Sequence, residues 1–145
     1  MSAAMFDPVR QLVFNGSVVL LFGLCLGAPY ARAIKREAAP HIVHAWRVAH
    51  ASLPMGALLM FAVAAVLPGL AVGETMHWAI AVSLIVSAYA FCVATPLAAI
   101  TGQRGLSRPT SQGLGRLVYA GNILGAVALA LAACLLVIGS AMSLG

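Results

Sequence analysis

The chain has 145 residues, about the length of one domain. Hydrophobic residues make up 63% of it and charged residues only 8%, whereas a soluble domain has about 25% charged residues. Together with a mean hydropathy of +1.04, this composition excludes an ordinary soluble globular protein and indicates an integral membrane protein. The net charge of +5 comes from basic residues placed between apolar segments, so we expect contact with lipid headgroups and no nucleic-acid partner.

Four apolar segments are long enough to cross a bilayer, which requires about 20 helical residues. They cover approximately residues 12–30, 41–67, 76–100 and 116–142. The sequence therefore predicts an all-α integral membrane protein with a single domain over residues 1–145, folded as a four-transmembrane-helix bundle. The first span is expected to end or bend at Pro29, because proline lacks the amide hydrogen that continues a helix.

Small residues spaced four apart occur in the first and last spans, as the pairs Gly23–Gly27 and Gly121–Gly125. Such pairs allow another helix to approach closely, and we expect these faces to suit packing between subunits.

Basic residues are distributed unevenly between the two sides of the predicted bundle. The first and third loops carry Arg32, Lys35, Arg36, Arg104, Arg108 and Arg116. The opposite side carries only Arg10. The positive-inside rule then places both loops in the cytoplasm and both termini outside. We expect a multi-pass protein of the bacterial inner membrane.

The second span differs from the others because histidines and an arginine precede its apolar part. Arg47, His50 and Pro54 fall on one stripe of a helix at three-to-four spacing. Pro54 leaves the carbonyl of His50 without its usual helical partner, which predicts a kink or a widened gap beside His50. An ionisable side chain at the start of a membrane span is a candidate functional site.

Two interpretations of His50 follow from the residues alone. In the first, the imidazole bonds a neighbouring helix while Arg47 extends to the headgroups. In the second, His50 is a metal or haem ligand. A zinc site normally requires three or four ligands, which His44 and His50 do not supply. A haem requires as few as one axial histidine, and Arg47 is placed to lie near its propionates.

His77, the one histidine outside the second span, lies at an interface, so the third and fourth spans hold no histidine within the membrane. This pattern disfavours an electron-transfer cytochrome with two axial histidines. A haem with a single histidine keeps its other axial face open to small ligands or substrates.

Tyr89 and Asn122 are the other polar side chains that we consider as catalytic candidates. Polar groups inside membrane helices more often hydrogen-bond a neighbouring helix than take part in chemistry. Cys25, Cys92 and Cys134 form no C-x-x-C pair, so neither a zinc ribbon nor a covalently attached haem is supported.

Two short motifs resemble the styrene oxide isomerases. One is Trp46-Arg-Val-Ala-His50 followed by Pro54, and the other is the loop sequence Arg104-Gly105-Leu106. With the four-helix layout, the resemblance covers approximately residues 12–140. It implies a small four-helix membrane protein that forms a homotrimer and binds haem b, with His50 as the axial ligand of the iron.

The resemblance also implies the reaction. Ferric iron acts as a Lewis acid on the oxygen of an aryl epoxide, the ring opens to a benzylic cation, and a 1,2-hydride shift gives an aryl acetaldehyde. Styrene oxide would thus become phenylacetaldehyde. We therefore predict that His50, Arg47 and Pro54 form the cofactor-binding set and that His50 is catalytic through its bound iron.

Two positions depart from the family's pattern. The family has an asparagine six residues after the ligand histidine, where this chain has Gly56, and a tyrosine nine residues before Arg-Gly-Leu, where it has Thr95. The resemblance implies that those two polar groups orient the substrate, so Tyr89, Tyr119 and Asn122 are our candidates to replace them.

Two alternatives remain at this stage. The chain could bind haem without isomerase chemistry, as a sensor or electron carrier, or it could be a structural subunit without a cofactor.

Overall fold

The computed structural model describes residues 7–102 and 113–145, and these residues form helices without strands. The helices are α1 (Pro8–Cys25), α2 (Gly27–Lys35), α3 (Pro40–Val66), α4 (Glu74–Thr101) and α5 (Leu114–Met142), and a 3-10 turn, Leu67–Gly69, follows α3. The Arg104-Gly105-Leu106 motif and Arg108 lie outside the described residues.

Within residues 7–102 and 113–145, four helical segments are long and apolar enough to span a membrane, which confirms the predicted number of spans. They are Pro8–Lys35, Pro40–Gly69, Glu74–Thr101 and Leu114–Met142. Many large apolar side chains on their outer faces are exposed, as lipid contact requires. The chain is therefore an all-helical, multi-pass integral membrane protein.

The first span is longer than predicted, and it is interrupted before Pro29 rather than ended by it. Pro29 has no N–H to donate to the carbonyl of Cys25, four residues earlier. The helix accordingly breaks at Leu26, between α1 and α2, and then continues to Lys35. Arg32 and Lys35, predicted to lie in a loop, occupy the last turn of α2.

The helices run up and down in sequence order. Gly23 of α1 lies against Pro54 of α3, while α4 packs along α5 in the opposite direction, and α3 joins the two pairs by packing on α4. Ala71 N–H donates to Ser143 Oγ at 2.8 Å, so the turn before α4 meets the end of α5. Asp7 and Pro8 line a surface pocket with Glu74, which directly follows this turn, so both ends of the described chain lie at the same side of the bundle.

The small-residue pairs pack within the chain, which corrects the expectation that they face other subunits. A Cβ on Gly23 would lie 2.6 Å from Pro54 Cδ. A Cβ on Gly121 would lie 3.0 Å from the Cβ of Ala94 and 3.3 Å from the carbonyl oxygen of Ala90. The glycines thus allow α1 to approach α3 and α5 to approach α4.

Candidate functional site

His50 faces the first span. Its Nδ1 lies 2.9 Å from the carbonyl oxygen of Gly23 on α1. A Cβ on Gly27 would lie 3.1 Å from the His50 ring, so α2 leaves room for the imidazole at that glycine. The ring also stacks with Tyr30, with centroids 6.1 Å apart and planes at 28°. Three residues of the first span therefore fix the position of one half-buried histidine.

This geometry determines how the imidazole can act. A carbonyl only accepts, so Nδ1–H is the donor to Gly23 and the lone pair of a neutral ring resides on Nε2. Nε2 has no hydrogen-bond partner among residues 7–102 and 113–145. Histidines that bind metals usually donate their other ring N–H to a carbonyl or carboxylate in this way. His50 thus makes the bond to a neighbouring helix that the first interpretation predicts, and its unpartnered Nε2 keeps the metal-ligand interpretation open.

The described residues give His50 no companion ligands for a bare metal ion. In the described part of the chain, no three or more histidine, cysteine or acidic side chains lie close enough together to hold a metal ion. A haem needs only one axial protein ligand, because the porphyrin supplies the other four. A single histidine with a free Nε2 satisfies that requirement.

Pro54 does not interrupt α3, which continues to Val66. Its ring packs against Gly23 one turn beyond His50. The contacts of His50 and Pro54 confirm that the predicted stripe is one face of α3 and show that it meets the first span.

Arg47 is exposed, and its Nη2 donates to His44 Nδ1 at 2.9 Å. It lies near the end of the bundle that also carries Arg32 and Lys35 of α2. Its role beside haem propionates stays a prediction.

A partly open cavity of about 540 Å³ lies between α3, α4 and α5. Its lining is mostly apolar: Val48, Ser52, Met55, Gly56, Leu59, Met60, Leu84, Ser87, Ala88, Phe91, Thr95, Asn122 and Leu129. Gly56 and Thr95, the two positions that depart from the family pattern, thus share one cavity with Asn122. Ser52 and Leu59 lie roughly opposite His50 around α3, so the histidine and the cavity occupy different faces of that helix.

Most polar groups of the cavity are already bonded to main-chain carbonyls. These bonds are Ser87 Oγ to Gly125 at 2.8 Å, Thr95 Oγ1 to Phe91 at 2.9 Å, and Asn122 Nδ2 to Val118 at 2.8 Å. Within the described ranges, the Oδ1 of Asn122 and the hydroxyl of Ser52 have no hydrogen-bond partner. These two groups are therefore available to a bound molecule.

Tyr89 is separate from the cavity. Its side chain is 40% exposed, and its hydroxyl donates to Asn15 Oδ1 on α1 at 2.9 Å. The structure thus brings Asn122 together with Gly56 and Thr95 and ties Tyr89 to the first span. A catalytic role for Tyr89 stays a prediction.

The sequence reasoning missed the residues around the imidazole and one cavity residue. Gly23 and Gly27 were identified as a close-approach pair, but the sequence did not indicate that α3 and His50 would approach them. Tyr30 follows Gly23 and Gly27 on the same helix face, and this spacing is the signal that could have grouped the three residues. No pattern in the sequence indicated that Ser52 would line the cavity.

A family model described as "Styrene oxide isomerase" matches residues 9–141, from the first turn of α1 to the last turn of α5. The chain belongs to the styrene oxide isomerase family. This membership confirms the resemblance seen in the sequence and implies an isomerase. No curated protein and no solved structure gives a significant match to the chain.

Proposed function

We propose that this member of the styrene oxide isomerase family converts aryl epoxides, such as styrene oxide, to aryl acetaldehydes with a haem b held by His50. The observation that carries the proposal is the hydrogen bond from His50 Nδ1–H to the Gly23 carbonyl, which leaves Nε2 with a free lone pair. Ferric iron bound at that nitrogen would supply a Lewis acid for the epoxide oxygen.

The residues around His50 have distinct roles in this proposal. Gly23 fixes the tautomer and Gly27 leaves space for the ring. Arg47 provides a cation for the propionates at the basic end of the bundle, and Pro54 holds α3 against α1.

The cavity between α3, α4 and α5 receives the aryl group. Its apolar lining excludes water, which would otherwise trap a benzylic cation as a diol. The isomerisation adds no atoms: one C–O bond breaks, a hydride moves to the neighbouring carbon, and a carbonyl forms. Asn122 and Ser52 are the cavity groups with unused polar atoms, and we propose that they orient the epoxide.

The arrangement of His50 and the cavity favours an assembly of several copies. Because they lie on different faces of α3, a complete site would combine the unpartnered His50 Nε2 of one copy with the cavity of another. We propose a homotrimer in the bacterial inner membrane, in which the apolar substrate enters from the bilayer.

The test is an absorption spectrum and a turnover assay of the purified protein. We expect a Soret band and conversion of styrene oxide to phenylacetaldehyde. His50→Ala should lose both, with activity reduced by at least the roughly 100-fold that loss of an outer-shell partner can cause. Added imidazole should restore part of the band. His41→Ala, a histidine exposed at the start of the same helix, serves as the matched control and should retain both signals.

Each other outcome has a defined meaning. A Soret band without epoxide turnover would indicate a haem protein of another function, such as a sensor or electron carrier. Wild-type protein without the band would contradict the cofactor. Haem and activity retained in His50→Ala would show that another residue holds the iron.

A further inference from the structure

Gly56 lies inside α3, where a glycine destabilises a helix relative to alanine. Its backbone does not require glycine, since the positive-φ glycines of the described chain are Gly102 and Gly113. Packing within the described part of one chain does not require it either. A Cβ at Gly56 would meet no atom within 4 Å, whereas at Gly125 it would lie 2.9 Å from the Phe91 ring. Neither strain nor helix contact therefore explains this glycine.

The space beside Gly56 is the cavity between α3, α4 and α5. Gly56 lies on the α3 wall between Met55 and Leu59, and Phe91 belongs to the α4 wall. The volume of about 540 Å³ lies within the range of about 300–1,000 Å³ that holds drug-sized ligands, which are larger than a single-ring epoxide. Any side chain at position 56 would extend from the helix into this region.

We infer that Gly56 determines substrate size and that the preferred substrates are two-ring aryl epoxides, such as a naphthyl oxirane. This inference rests on the proposed isomerase function. The second ring occupies the volume that a side chain at position 56 would take, among the apolar groups of α3 and α4. The reaction itself is unchanged, because the added ring takes no part in the C–O cleavage or the hydride shift.

The experiment compares kcat/KM for 2-naphthyloxirane and styrene oxide in the purified holoprotein. We expect wild type to prefer the two-ring epoxide. The ratio of the two values should fall about tenfold in Gly56→Ala and further in Gly56→Leu, because one methylene group in an apolar pocket changes selectivity by about 10–200-fold.

Gly69→Ala and Gly69→Leu are the matched controls. Gly69 also has no atom within 4 Å of an added Cβ, but it lies in the turn after α3 and does not line the cavity. In each Gly69 variant, the ratio of the two kcat/KM values should equal that of wild type. A second readout is the binding of 2-ethylnaphthalene, which cannot react, measured by fluorescence titration of nanodiscs that contain the protein. Empty nanodiscs give the background. Gly56→Leu should weaken this binding at least tenfold.

The outcomes separate the inference from the proposed function. Wild-type protein that isomerises neither epoxide overturns the proposed function, and the substrate class with it. A different result overturns the inference alone. In that case the protein isomerises styrene oxide, but Gly56→Leu changes neither the ratio of the two kcat/KM values nor the affinity for 2-ethylnaphthalene.

Discussion

His50 has two ring nitrogens in different situations. Nδ1–H is fixed by the carbonyl of Gly23, while Nε2 has no partner in the part of the chain that the structure describes. Gly23 has a second function at the same point, since its missing side chain allows Pro54 to lie against α1. One glycine therefore controls both the orientation of the imidazole and the distance between α1 and α3.

Substitution of Gly23 by alanine tests this dual role. The new Cβ would lie 2.6 Å from Pro54 Cδ and 2.9 Å from Leu53 Cβ, so the two helices must separate. We expect a loss of stability of about 1–3 kcal/mol, typical of overpacking, and weaker haem retention because the His50–Gly23 hydrogen bond lengthens. Thermal unfolding and Soret absorbance per mole of protein measure the two effects. Gly69→Ala, in open space, is the control, and an unchanged Gly23→Ala protein would contradict this account.

At the scale of the helix, prolines have different consequences in different spans. Pro29 is associated with a break between α1 and α2, whereas Pro54 and Pro96 lie inside continuous helices. The break is followed directly by Gly27, the poorest helix former after proline, and the helix there must also accommodate the His50 ring. The effect of a proline on helix continuity therefore depends on the residues around it.

The contact between α4 and α5 provides a prediction at this scale. Gly121 faces the Cβ of Ala94 and the backbone of Ala90, which cannot move aside as a flexible side chain could. We expect Gly121→Leu to lower the free energy of unfolding by about 1–3 kcal/mol. Ala120→Leu, on the adjacent exposed position, should change it by less than about 0.5 kcal/mol. Unfolding in mixed micelles would measure both, and equal effects would argue against a specific glycine contact.

For the whole molecule, the main feature is the separation of His50 from the cavity by the width of α3. Complementation tests whether two copies share a site. Co-expression of His50→Ala with Gly56→Leu should isomerise 2-naphthyloxirane faster than the sum of the separate variants, because an intact His50 can then face an intact cavity.

His50→Ala co-expressed with the His50→Ala, Gly56→Leu double variant is the control, since no copy in that mixture has an intact ligand. Rates that only add in the first mixture would show that each copy holds a complete site. The orientation of the bundle, with the basic end in the cytoplasm, stays a prediction.

The sequence alone determined the number of spans, the helical class and the candidate His50, because hydropathy and helical periodicity are properties of short segments. It also placed His50 and Pro54 on one face. Only the tertiary structure decided that this face meets Gly23 and Gly27, that Asn122 joins Gly56 and Thr95 in one cavity, and that Tyr89 does not. These facts depend on which helices pack together. Helix packing in turn depends on close contacts between residues far apart in the chain, which the local sequence pattern does not show.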